Sequence, residues 1–185
     1  MELSYIPLEQ NNPEQFAVFC ELLTEYDAEI GNRPFAEQDQ ERIKRIADYL
    51  IKCSVRGDSW LELINALDKP IGFLFYEVDD GSYGAPETLG YGFIREFYIR
   101  SEYRRQRLGS RCFAKIEDNF RKQSVKQMWL TCETKAGAPF WRSFGFINTE
   151  NRCQKNDIVI YVKPVGFTRA EKELSRFGIR FSEIQ

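Results

Sequence analysis

The sequence predicts a mixed α/β (α+β) fold in a single domain, and three observations carry that prediction. The chain has 185 residues, the size of one compact unit. Three long segments place apolar residues at helical spacing, while the middle and late parts of the chain hold short runs rich in aromatic and aliphatic residues. One stretch, 91–133, reads strand, helix, strand. That order is a crossover and implies two parallel neighbours inside a mixed sheet.

After a short strand at 2–7, Asn12-Pro13-Glu14-Gln15 supplies an N-cap, a proline at the first helical position and a glutamine at the third. Phe16, Phe19, Cys20, Leu23 and Tyr26 then recur at helical spacing and Gly31 is a stop, so a helix is predicted over 13–30. Ile43, Ile46, Ala47, Leu50 and Ile51 form the stripe of a second helix, 37–53, after the break at Pro34. Strands at 60–67 and 71–79 make a hairpin whose turn is expected at Asp68-Lys69-Pro70. A glycine-rich loop, 79–90, precedes a third long strand at 91–99. A helix at 107–122 follows, with Leu108, Cys112, Phe113, Ile116 and Phe120 facing inward. A strand at 128–133, a short helix at 138–144 and a strong strand at 157–163 complete the body, 1–163. The extension 164–185 carries a capping box, Thr168-Arg169-Ala170-Glu171, and is expected to dock on the body or on a partner chain, which leaves a homodimer open.

Composition narrows the chemistry. There is no histidine, which excludes a Ser-His-Asp or Cys-His nucleophile, a histidine-ligated metal and a histidine acid or base. Five scattered cysteines without a C-x-x-C pair suggest neither a zinc site nor a disulfide framework, so reduced thiols in a cytoplasmic protein are expected, with no metal. The N-terminus does not read as a leader, and the longest apolar run, Ile71–Tyr76, is too short for a bilayer, so no membrane association is expected. A net charge of −2 gives no global attraction to nucleic acid. Any anion site must be local.

Such a site is written at the start of the helix at 107. Arg100, Arg104, Arg105, Arg107 and Arg111 crowd the positive end of a helix dipole, an unfavourable placement unless an anion sits there. Free N–H groups of a first turn grip a phosphate. The alternative is solvation, or pairing with Glu102, Glu117 and Asp118.

The spacing Arg104-x-x-Arg107-x-Gly109-Ser110 resembles the pyrophosphate loop of the GNAT superfamily of acyl-CoA-dependent N-acyltransferases. The preceding Glu96-Phe97-Tyr98-Ile99 resembles the family's strand before that loop, and Phe140-Trp141-Arg142-Ser143-Phe144-Gly145-Phe146 its downstream aromatic segment. The resemblance covers about 60–163, with the first two helices where the family has its acceptor-side helices. It implies a single-domain GNAT-like fold with a mixed, mostly antiparallel central sheet in which the parallel strands at 91–99 and 128–133 splay apart, with helices on both faces. It also implies acetyl-CoA as co-substrate: main-chain groups of Phe97, Tyr98 and Ile99 on its pantetheine arm, and Arg104, Arg105, Gln106, Arg107, Leu108, Gly109 and Ser110 around its diphosphate. Where the family's loop has its first glycine this chain has Arg107, expected to keep an ordinary backbone and add a cation. Thr134 stands at the position of a common asparagine, and Trp141 where many members carry the tyrosine that protonates the departing thiolate.

With no histidine, the base for the attacking amine must be a carboxylate, a tyrosine or water. Glu96 is the first candidate, directly or through water, although a partner for Arg95 or Arg100 would also explain it; Glu133 is the second. Alternation puts Glu96 and Tyr98 on one face unless a bulge intervenes. Tyr98 is a candidate acid or a packed core tyrosine, and a backbone N–H at Tyr98 or Ile99 is the expected oxyanion donor. Cys132 reads as an inert thiol. Tyr26, Asp27, Glu29 and Phe35 are candidates for an acceptor pocket. The function implied is acetyl transfer from acetyl-CoA to a primary amine of a small molecule or protein in a ternary complex. The alternative is a non-catalytic acyl-CoA-binding or regulatory module.

Overall fold

The computed structural model describes residues 2–31, 39–83, 86–132 and 137–166. Phe35, Glu133, Thr134 and the tail beyond Gly166, all singled out from the sequence, lie outside the described residues. The elements follow in the order β1 (Leu3–Pro7), α1 (Pro13–Ile30), α2 (Gln40–Ser54), β2 (Ser59–Ala66), β3 (Lys69–Val78), β4 (Gly92–Ile99), α3 (Leu108–Lys122), β5 (Gln127–Thr131), α4 (Gly137–Ser143), β6 (Ile147–Arg152) and β7 (Val159–Pro164). The strands form a seven-stranded sheet in the order β1-β2-β3-β4-β5-β7-β6. β4 and β5 are parallel, as the crossover requires, while β1–β2, β2–β3, β5–β7 and β6–β7 are antiparallel. The β4–β5 ladder consists of Gly92 with Met128 and Phe93 with Trp129, and β4 continues to Ile99 beyond it.

By internal packing the chain falls into two compact units, one made of residues 1–77 and 94–115, the other of 78–93 and 116 onward. In the first unit, α1 begins as its sequence dictates: the Asn12 side chain accepts from the Gln15 N–H, and Pro13 occupies the first turn. Helix α2 is capped by Asp39, whose side chain accepts from the Arg42 N–H. Their apolar stripes bury Phe19, Leu22, Ile43 and Leu50 against Leu61, Phe73, Phe75 and Tyr98. Each such side chain taken fully from water contributes about 1.5–3 kcal/mol. The opposite face of the same strands meets α3, whose Lys115 pairs with Glu62 and donates to the Tyr76 hydroxyl at 2.9 Å. Helices thus cover both faces, and the five residues predicted to face inward from α3 are all buried.

The β2–β3 turn differs from expectation. It is made by Leu67 and Asp68, with φ of 49° and 61°, a left-handed pair that matches the twist of the strands it joins. Pro70 lies inside β3 opposite Asn65, at a register irregularity between Ile64 and Asn65, where a residue without an N–H is tolerated. Gly72 marks a close approach: a Cβ there would stand 2.1 Å from the Tyr98 carbonyl oxygen. Gly72→Ala is expected to force β3 from β4 and cost about 3 kcal/mol. A thermal melt showing a wild-type midpoint would contradict this.

In the second unit, Phe93 stacks on Trp129 with ring centroids 4.0 Å apart, and Cys153 and Ile160 close the cluster. Lys163, 1% exposed, is neutralised by Glu117, so that carboxylate is not a partner of the arginine cluster. Asp118 likewise serves Arg121 and Lys122. Strand β6 was not foreseen. Its sequence, Ile-Asn-Thr-Glu-Asn-Arg, is exposed on both faces and carries no alternation to read.

Candidate functional site

The segment between β4 and α3 sits in the first unit. It opens with a short 3-10 turn, Ser101–Tyr103, and reaches the helix at Leu108. Four of the five clustered arginines divide into two groups. Arg100 and Arg104 turn toward α1, whose Glu21, Glu25 and Glu29 recur every fourth residue and so share one face. Arg100 Nε donates to both Glu25 oxygens at 3.1 and 2.8 Å, and Arg100 also pairs with Glu21 and donates to the Pro70 carbonyl at 3.1 Å. Arg104 forms a two-pronged pair with Glu29 at 2.7 and 2.6 Å, donates through Nε to the Ile99 carbonyl at 2.6 Å, and lies over the Tyr98 ring. The hydrogen bonds to Glu29 hold its pKa above the ordinary arginine value. These partners are neither Glu102 nor Glu117 nor Asp118.

Arg105 and Arg107 form the second group: both are exposed and make no ion pair among the described residues. Both have positive φ, 62° and 61°. The expectation of an ordinary backbone at Arg107 is therefore overturned. The turn does need the left-handed conformation there, and this chain adopts it with a side chain that costs about 1–2 kcal/mol more than glycine would. The result is a row of unused donors. Among the described residues no acceptor meets the backbone N–H of Arg105, Gln106, Arg107, Leu108, Gly109 or Ser110. The first amide with one is Arg111, which donates to the Arg107 carbonyl at 3.2 Å. Six consecutive donors at a helix start, two of them on arginines with no ion pair among the described residues, can hold a multiply charged anion, and a diphosphate suits them by charge and by number of acceptors.

Strand β4 points two candidate side chains at α1. Glu96 accepts a hydrogen bond from Tyr26, and burial of its carboxyl raises its pKa, opposed by that bond and by the Arg95 charge. It is not the partner of Arg100. Tyr98, 6% exposed, donates to Glu25 at 3.2 Å, and burial together with the Glu25 charge raises its pKa. Arg95 reaches α2 as well: it donates to the Tyr49 hydroxyl at 3.3 Å, with its guanidinium 5.0 Å over the Phe75 ring. Consecutive residues Arg95 and Glu96 thus address the same helical layer, so the strict alternation of the strand is broken between them.

Beside Tyr98 lies an open cleft of about 420 Å³ lined by Glu25, Ala28, Glu29, Tyr98, Ser101 and Glu102. Of the three described residues expected in an acceptor pocket, Tyr26, Asp27 and Glu29, only Glu29 lines it. Asp27 is bound by Arg42, and Tyr26 packs on Phe73 and Tyr98 while holding Glu96. Glu25 and Glu102 were not anticipated. The every-fourth-residue carboxylates of α1 were the only signal that pointed to Glu25.

Trp141 belongs to the other unit. It is 8% exposed on α4 and packs edge-on against Phe140 and Phe146. Cys132, partly buried, donates its N–H to the Val159 carbonyl. No group of cysteine, aspartate and glutamate that could hold a metal ion occurs among the described residues, nor is any described helix long and apolar enough to cross a membrane.

Several solved structures share this fold over nearly their whole length. They include a paiA N-acetyltransferase from Thermoplasma acidophilum in complex with coenzyme A, at TM-score 0.65 and 16% identity, covering 89% of this chain and 99% of that one. The PH1933 protein of Pyrococcus horikoshii OT3 gives TM-score 0.68 and 17% identity, covering 88% and 98%. A chain of a NatC complex bound to Gag peptide and CoA gives TM-score 0.55 and 18% identity, covering 89% and 99%. No curated protein matches the sequence. Residues 19–146 match the Acetyltransferase (GNAT) family. That match takes in the larger, C-terminal part of α1, the β4 strand, the donor-rich turn and the aromatic segment 140–146, and with it the chain belongs to the GNAT family of acetyltransferases.

Proposed function

We propose that this protein is an acetyl-CoA-dependent N-acetyltransferase that acetylates a primary amine of a small molecule or protein by direct attack in a ternary complex. The observation that carries the reading is the run of six amides, Arg105 to Ser110, that meet no acceptor among the described residues, with two arginines in it, Arg105 and Arg107, that make no ion pair there. The residues present fit a diphosphate: backbone donors supply the grip, and Arg105 and Arg107 supply neutralising charge. When bound, the co-substrate brings an activated acyl thioester. Main-chain groups of Phe97, Tyr98 and Ile99 are the proposed partners of its amide-bearing arm, although the Ile99 carbonyl already accepts from Arg104.

Glu96 is the proposed base. Its raised pKa makes it a stronger proton acceptor than an ordinary carboxylate, and Tyr26 fixes its orientation. Tyr98 does not suit the acid role, because its hydroxyl is committed to Glu25 and its pKa is raised. An indole N–H does not ionise usefully either, so Trp141 leaves water as the proton source on the leaving side. A backbone N–H at Tyr98 or Ile99 remains the proposed donor to the developing oxyanion. The cleft beside Tyr98, with its three glutamates, is the proposed entry for a cationic acceptor.

Titration calorimetry with acetyl-CoA is expected to show micromolar binding, and thiol release with a panel of amines is expected to reveal turnover. Absence of binding at millimolar co-substrate overturns the reading. Tight binding with no turnover on any amine favours instead a regulatory acyl-CoA-binding module, the reading that Trp141 at the usual acid position supports.

A further inference from the structure

We propose that Glu29, acting through Arg104, is a positioning residue for the anion-binding turn; this rests on the diphosphate reading of that turn. The turn contains two non-glycine residues in the left-handed region, Arg105 at φ 62° and Arg107 at 61°. Such conformers persist only where their surroundings over-determine them. On the C-terminal side the anchor is Leu108, 3% exposed at the start of α3. The N-terminal anchor is Arg104, the residue directly before the first left-handed position. Its backbone N–H donates to the Ser101 carbonyl at 3.1 Å, and its side chain is held from three directions: by the Ile99 carbonyl at 2.6 Å, by the Tyr98 ring beneath its guanidinium, and by both oxygens of Glu29 at 2.7 and 2.6 Å.

Two of those three side-chain supports belong to β4, which leads into the turn through the 3-10 segment Ser101–Tyr103. Glu29 alone comes from another element, so it is the one that fixes the turn against α1 rather than against its own strand. A bidentate carboxylate constrains the plane and direction of a guanidinium, which a single contact does not. Without it Arg104 keeps its carbonyl contact but is free to rotate about it, and the strained pair at Arg105 and Arg107 relaxes toward ordinary φ values. The row of aligned N–H groups is then lost.

The sign of the effect separates positioning from plain electrostatics. Removing a carboxylate near an anion site, and releasing an arginine beside it, strengthens anion binding on charge grounds alone. Positioning predicts the reverse. The probe is coenzyme A binding by titration calorimetry, with thermal melts to confirm folding of each variant. Glu29→Gln is expected to weaken binding about tenfold. Arg104→Lys, which keeps the charge and loses the fork, is expected to weaken it several-fold. In an Arg105→Gly/Arg107→Gly background, where left-handed φ carries no steric penalty, adding Glu29→Gln is expected to change affinity by less than about threefold. Unchanged or tighter binding by Glu29→Gln, with the wild type binding normally, overturns the positioning role and leaves the diphosphate reading standing. A tenfold loss that persists in full in the glycine background overturns it as well. Failure of the wild type to bind coenzyme A overturns the diphosphate reading and this inference with it.

Discussion

Reversing both exposed arginines of the turn, Arg105→Glu/Arg107→Glu, is expected to weaken acetyl-CoA binding by roughly 100-fold or more. A hydrogen bond or contact between ionised partners contributes about 1.5–3 kcal/mol, and the reversal both removes two such contacts and sets two carboxylates against the diphosphate. The two arginines are the right targets because they have no carboxylate partner among the described residues. Arg104 is not, since its guanidinium is occupied by Glu29 and Ile99. Calorimetry at two ionic strengths checks the origin of the loss: the wild-type affinity falls with added salt more steeply than that of the variant. Retention of wild-type affinity by the double reversal would contradict the assignment of the turn.

Glu96→Gln is expected to lower kcat by about 10²- to 10⁴-fold, the usual contribution of a positioned acid or base, while acetyl-CoA affinity stays within a few-fold. The pH profile adds an independent check. A base must be deprotonated to act, so the rate of the wild type falls as pH drops through the Glu96 pKa. Burial places that limb above the ordinary carboxylate value of 4.5, and it disappears in the variant. Stability gives the opposite sign. A carboxyl whose pKa is raised on folding binds its proton more tightly in the native state. Its contribution is therefore fully present below the unfolded pKa and lost as pH rises through the folded one. At neutral pH the charged form is a net cost, so Glu96→Gln should melt no lower than the wild type, which distinguishes a catalytic loss from unfolding. A variant with wild-type kcat would remove Glu96 from the mechanism.

The helices were legible because their apolar stripes and caps are local signals: Asn12, Pro13 and Gln15 define the start of α1, and Leu108 to Phe120 define the buried face of α3. Strand β6 was not, because a segment exposed on both faces has no periodicity. The β2–β3 turn was misplaced for a related reason. Proline is the louder turn signal, and nothing in Leu67-Asp68 announces two positive φ values. At the site, five arginines at a helix start pointed to an anion, and the corresponding amides meet no acceptor among the described residues. How the arginines divide was hidden, because Arg100 and Arg104 meet carboxylates 75 residues earlier in the chain. Contacts of that separation depend on how α1 lies on the sheet, which residue spacing alone does not specify. The same holds for Glu25 and Glu102 in the cleft.

Glu25 and Glu29 serve two masters: they wall the cleft beside Tyr98 and at the same time hold Arg100 and Arg104. A lineage that remodels this stretch of α1 to admit a different amine disturbs the counter-charges of the neighbouring loop in the same step. On the proposed reading of cleft and turn, drift in acceptor preference is thereby tied to drift in donor affinity, and each tolerated change on one side calls for a compensating one on the other.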